Sequence, residues 1–85
     1  MIEIYGRQGC SYCTKAKELC EQYNIKYVYK DMTHVVELYE EFTTKFPNAK
    51  TVPQITWDDK PIGGYTELLV QIENLSLGNY GEGAF

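Results

Sequence analysis

Ile2-Glu3-Ile4-Tyr5-Gly6-Arg7-Gln8-Gly9-Cys10-Ser11-Tyr12-Cys13-Thr14-Lys15-Ala16 is the stretch whose reading decides the fold. Ile2-Glu3-Ile4-Tyr5 alternates apolar and polar residues, the period of a strand. Gly6 to Gly9 break it. Beyond the break, Cys13, Ala16, Cys20 and Tyr23 recur at helical spacing with Leu19 beside them. Lys15, Lys17, Glu18 and Glu21 take the other side. The spacing predicts a helix from about Ser11 to about Tyr23, with Asn24 as its stop. Cys10 and Cys13 therefore fall where a strand hands over to the start of a helix.

Working outward, Ile25 to Lys30 is rich in β-favouring residues and predicts a second strand. Val35, Leu38, Tyr39, Phe42 and Phe46 then repeat at helical intervals, and Pro47 ends that helix. Gln54-Ile55-Thr56-Trp57 and Pro61-Ile62 flank Asp58-Asp59-Lys60, which predicts a tight hairpin. Its second strand is an edge, because Pro61 has no N–H for a ladder. Gly63-Gly64 turn the chain, and Leu68, Leu69, Ile72 and Leu75 mark a final helix. Thr66 is the expected cap and Glu67 suits the first turn. Ser76 to Phe85 holds three glycines and no clear period, so a mobile tail is expected there. The order β-α-β-α-β-β-α predicts an α/β domain over residues 1–75. Its small mixed sheet has helices on both faces.

At 85 residues the chain suits one small domain. Its net charge of −4 argues against general nucleic-acid binding, which calls for a basic stripe. Met1 to Tyr5 lack the basic start and apolar run of a signal peptide. No stretch approaches the ~20 apolar residues of a membrane span. A soluble cytoplasmic protein is the expectation.

Three cysteines do not make a secreted disulfide scaffold. Residues i and i+3 at a helix start meet the geometric limit for a disulfide, and the bond can open and close there. The helix N-terminus presents unpaired N–H groups and a positive dipole end to Cys10, which favours thiolate, and Arg7 adds positive charge nearby. Cys10 is thus expected as the exposed nucleophile and Cys13, one turn inside, as the resolving thiol. The rival reading is half a zinc site, but only Cys20 and the single His34 remain as further ligands. Cys20 lies on the inward helix face and reads as a small buried hydrophobe, and His34 reads as exposed. Redox chemistry is the favoured reading.

Three separate pieces, in order and in spacing, resemble the glutaredoxins, a thioredoxin-fold family. They are Tyr5-Gly6-Arg7-Gln8-Gly9-Cys10-Ser11-Tyr12-Cys13 with Ala16-Lys17, Thr51-Val52-Pro53-Gln54-Ile55, and Ile62-Gly63-Gly64-Tyr65-Thr66. The resemblance covers residues 1 to about 75 and is to the short dithiol type of bacteria and some phages. It implies a four-stranded sheet and a glutathione-dependent thiol–disulfide oxidoreductase, with no tightly bound cofactor. Disulfide proteins such as ribonucleotide reductase are the implied partners, and a monomer the implied state.

The resemblance also implies site roles. Thr51-Val52-Pro53 resembles a loop whose cis proline turns the Val52 backbone toward glutathione. The residues alone read equally well as a loop proline before a strand. Gly64, Tyr65, Thr66 and Glu67 resemble the glutathione clamp, with backbone N–H groups suited to a carboxylate. The plain reading, a glycine turn plus a helix cap, is compatible with it. Many relatives have Asp where Glu67 stands. Arg7 matches a basic position for the glycine carboxylate of glutathione. Tyr12 matches one wall of the groove, with helix-start packing as its plain alternative. One departure is Ser11, where the family usually has proline. Some glutaredoxins with serine there bind a [2Fe–2S] cluster between two subunits through Cys10-type thiolates and glutathione, which is the alternative reading. A third reading, reduction by a flavoprotein reductase as in thioredoxins, leaves the clamp without a purpose.

Overall fold

The structure is a computed structural model that describes the backbone of residues 1–83 and the side chains of residues 1–75. Its elements run β1 (Ile2–Gly6), α1 (Ser11–Gln22), β2 (Tyr27–Asp31), α2 (Val36–Lys45), β3 (Gln54–Trp57), β4 (Lys60–Gly63) and α3 (Tyr65–Gly83). This is the expected order. The sheet order is β2-β1-β3-β4. β1 pairs parallel with β2, and β3 is antiparallel to both of its neighbours, β1 and β4. The helix between β1 and β2 makes the parallel crossover; β3 and β4 need only a two-residue turn. Asp58 and Asp59 both take positive φ there (51° and 68°), the twist that suits a tight hairpin.

Alternation along β1 divides the molecule. Ile2 and Ile4 face a core built with Ala16, Leu19 and Cys20 of α1, Ile55 of β3, and Leu68 and Ile72 of α3. Tyr5 points the other way and meets Phe42 and Phe46 beneath α2. Burying these side chains supplies most of the driving force for so small a chain. Glu3 shares the α2 face with Tyr5. There it meets Lys30 of β2, Lys45 of α2 and the Thr56 hydroxyl.

Several expectations shift by a residue or two. Helix α1 closes at Gln22, and Asn24 beyond it adopts φ 56°, the left-handed turn-off that asparagine tolerates. The α2 stripe is narrower than its periodicity predicts. Phe42 and Phe46 are buried, while Val35 and Tyr39 are 40% and 56% exposed. One short helix on this face cannot cover its whole apolar side. Thr66 does not cap α3. The helix starts at Tyr65, Gly64 is the residue before it, and Glu67 Oε1 accepts the Gly64 N–H at 2.8 Å. That is the glutamate half of a capping box, and it stands in for the threonine. The expected tail, Ser76 to Phe85, overlaps this helix. With no proline to interrupt the ladder the α3 backbone continues to Gly83, and residues 84–85 lie outside the described residues. Among the described residues no helix is long and apolar enough to cross a membrane.

Candidate active site around Cys10 and Cys13

Parallel pairing carries β1 to the edge where α1 begins, so the loop Arg7–Gly9 delivers Cys10 to the α1 N-terminus. Cys10 is the N-cap, with extended backbone (φ −96°, ψ 109°), and its Sγ accepts the Cys13 N–H at 3.1 Å. A sulfur thus occupies the place of a capping oxygen. The same N–H that caps the helix stabilises negative charge on that sulfur. Cys10 and Cys13 sit at disulfide distance, with Cα atoms 5.2 Å apart. Cys10 is half-buried and Cys13 is 1% exposed. The pair is therefore asymmetric: one sulfur is reachable and the other is shielded.

Opposite Cys10 lies the Thr51–Pro53 loop. Its Val52–Pro53 peptide is cis. The Val52 carbonyl oxygen is 3.7 Å from Cys10 Sγ. Behind the loop, Gly64 comes so near that a Cβ on it would stand 3.2 Å from the Pro53 carbonyl oxygen. This close approach joins two distant sequence pieces into one wall. An open groove of about 600 Å³ runs from Tyr12 past Thr51, Val52 and Pro53 to Gly64, Tyr65, Thr66 and Glu67. Tyr12 and Tyr65 close its middle, with ring centroids 5.7 Å apart. Lys15 Nζ sits over the Tyr12 ring at 4.7 Å. The Tyr65 and Thr66 N–H groups belong to the first turn of α3 and have no helical carbonyl before them.

Arg7 stands apart from the other candidate residues. It is exposed and lines a second hollow with Lys50, Tyr39 and Phe42. Thr51 and Val52 border both hollows. Glu67 reaches the groove with one carboxylate oxygen already committed to Gly64. Cys20 is fully buried in the core, and burial pushes its thiol up to about 11, with Glu21 adding to the rise. Such a thiol is a packing group. His34 is exposed in the turn before α2. Among the described residues no set of three His, Cys, Asp or Glu side chains forms a metal site.

Sequence reasoning missed Tyr29. A Cβ on Gly6 would collide with the Tyr29 hydroxyl and would stand 2.8 Å from Cys13 Sγ, so Gly6 leaves room for both. Only the Ile25–Lys30 strand pattern hinted at this residue, and nothing local ties it to Cys13. Gly6→Ala is expected to destabilise the protein by about 2 kcal/mol through overpacking, as read by urea unfolding. An unchanged midpoint would mean that Tyr29 yields freely.

The glutaredoxin family model matches residues 2–62. The glutaredoxin of Haemophilus influenzae is 40% identical over 73 residues, covering 78% of this chain and 83% of that protein. Glutaredoxin 1 of Escherichia coli is 38% identical over 79 residues, covering 85% of this chain and 93% of that protein. The solved structure of reduced Escherichia coli glutaredoxin matches with a TM-score of 0.72 at 36% identity, covering 88% of this chain and 96% of that one. A thioredoxin fold, a cysteine pair at disulfide distance on a helix N-terminus and these likenesses converge: the chain belongs to the glutaredoxin family of thiol–disulfide oxidoreductases.

Proposed function

We propose that the chain is a dithiol, glutathione-dependent reductase of protein disulfides and glutathione mixed disulfides. The observation that carries this is the placement of Cys10 Sγ, capped by the Cys13 N–H and facing Val52 at the mouth of the groove. Cys10 thiolate attacks one sulfur of a client disulfide and expels the other as thiolate. Cys13 thiolate then attacks Cys10 Sγ, releases the client's second thiolate and leaves the Cys10–Cys13 disulfide. One glutathione thiolate opens that bond at Cys10. A second attacks the glutathione sulfur of the mixed disulfide, which frees Cys10 and forms oxidised glutathione. Two electrons and two glutathione molecules balance each cycle.

Glutaredoxins use glutathione as a co-substrate, and this chain offers groups for each end of it. The Val52 backbone suits its cysteine as a short antiparallel strand. The N–H groups of Tyr65 and Thr66 suit the γ-glutamyl carboxylate, and the free oxygen of Glu67 suits the amino group. Arg7, across Thr51, suits the glycine carboxylate, and Tyr12 closes the wall. We assign residues 1–75 as the working domain and place it in the cytoplasm as a monomer. Its clients include protein disulfides of the kind formed in ribonucleotide reductase.

The test compares two reductants. Turnover is expected with glutathione and glutathione reductase, and none above background with thioredoxin reductase. The opposite pattern would overturn glutathione dependence while leaving the cysteine pair intact.

A further inference from the structure

We infer that Tyr29 is a positioning residue for the resolving sulfur, a hydrogen-bond donor held ready for Cys13 when the disulfide opens. The inference rests on the Cys10–Cys13 couple proposed above. Tyr29 sits on β2 opposite Ile4, with its ring against the α1-side core. Its hydroxyl and Cys13 Sγ flank the space that a Cβ on Gly6 would fill, so the absence of a side chain at Gly6 leaves the two facing each other across that glycine. The hydroxyl's only partner among the described residues is the Arg7 carbonyl oxygen at 3.5 Å, the outer limit of a hydrogen bond. It is free to turn to a better acceptor. Lys17 Nζ lies over the Tyr29 ring at 4.2 Å. A cation there draws electron density from the ring and strengthens the phenol as a donor. Burial, reinforced by Asp31, raises the phenol above its ordinary range, so it keeps its proton.

These facts give Tyr29 a task that Cys10 does not share. Cys10 Sγ has the helix N-terminus and the Cys13 N–H to hold its negative charge. Cys13 is buried and one turn further in. When a thiolate attacks Cys10, the S–S bond breaks and its electron pair leaves on Cys13 Sγ. A buried thiolate with no donor is costly. Tyr29 Oη–H supplies that donor without giving up its proton, and the contact with Cys13 Sγ persists in the reduced pair. In the reverse direction the same contact orients Cys13 for attack on the Cys10 mixed disulfide.

Removing only the hydroxyl, with Tyr29→Phe, keeps the ring and its packing. The reduced form then loses its donor, so the Cys10–Cys13 couple becomes more reducing. We expect about a tenfold shift in the exchange constant with dithiothreitol, equivalent to about 30 mV more negative. Lys17→Met is expected to move the potential in the same direction by less. Reduction of a protein disulfide, which needs Cys13, is expected to fall about tenfold. Adding Tyr29→Phe to Cys13→Ser is expected to cause no further loss on a glutathione mixed disulfide. An unchanged potential in Tyr29→Phe overturns the inference. Should that variant fail to fold, an unchanged potential in Lys17→Met does so. Dithiothreitol buffers do not involve glutathione, so a failure of the glutathione reading leaves this result readable. A wild-type pair that does not equilibrate at all would instead sink the dithiol cycle itself.

Discussion

Cys10→Ser is expected to lose at least about a thousandfold in turnover on both protein disulfides and glutathione mixed disulfides. A hydroxyl at the α1 N-cap still accepts the Cys13 N–H, so the helix keeps its cap and the fold survives. What disappears is the sulfur nucleophile, and a serine hydroxyl with no base beside it is a far weaker one. Cys13→Ser behaves differently. Its sulfur is shielded, and in the cycle it acts only on a mixed disulfide already formed at Cys10. Turnover of a glutathione mixed disulfide needs one sulfur, so this variant retains it. Protein-disulfide reduction is expected to drop about tenfold or more, because the client waits for an external thiol. Intact melting curves with separated activities are the expected result. Equal losses in both variants would mean that the sulfurs do not divide the work. Retained activity in Cys10→Ser would remove the nucleophile assignment.

What could be read before folding was whatever repeats locally. Ile2 and Ile4 alternate with their neighbours and do line one core; Asp58-Asp59 marks a turn and does make one. Cys10 and Cys13 are three residues apart, and any helix brings such a pair together. The Thr51–Pro53 and Gly63–Thr66 pieces needed more than periodicity, and only a family likeness joined them to the cysteines. The structure puts them on one groove through the close approach of Gly64 to Pro53. The long-range juxtapositions stayed hidden. Tyr29 and Cys13 flank Gly6 from two sides because β2 aligns with β1 in parallel register, which no local pattern reports. The capping role of Glu67 depends on where α3 starts, and a Thr-Glu pair fits two starting points. The exposed side of α2 carries the same apolar period as a buried one, since periodicity does not say how wide the covering layer is.

Glu3 is the residue whose importance periodicity conceals most, and it carries the second large effect. It sits in the middle of β1 on the α2 face, with its side chain 20% exposed. Lys45 reaches it at 3.0 Å, Lys30 at 3.1 Å, and the Thr56 hydroxyl donates at 3.0 Å. Glu41 of α2 joins Lys30 and the Tyr5 hydroxyl from above. Two carboxylates and two ammonium groups thus balance between sheet and helix. Hydrogen bonding from Lys45, then from Lys30 and Thr56, outweighs burial and holds the Glu3 carboxyl down at about 2, against an ordinary 4.5. Glu41 is lowered as well, chiefly by Lys30. A carboxylate depressed in the folded state stabilises above its unfolded value, and that stability is lost as pH falls through the folded one. The shift at Glu3 corresponds to about 2–3 kcal/mol after allowance for solvent screening. A chain of this size has little more than about 5 kcal/mol in total. The protein is therefore expected to lose a large part of its stability between about pH 4.5 and pH 2. Glu3→Gln is expected to cost about 2–3 kcal/mol at pH 7, since Lys30 and Lys45 keep only Glu41 between them. The variant should also show a shallower decline of stability through the acid range, because the group that titrates there is gone. Urea titrations of both proteins from pH 7 to pH 2.5 read both effects. Parallel pH profiles would show that Glu3 is already solvated and that its lysines contribute nothing to holding α2 on the sheet.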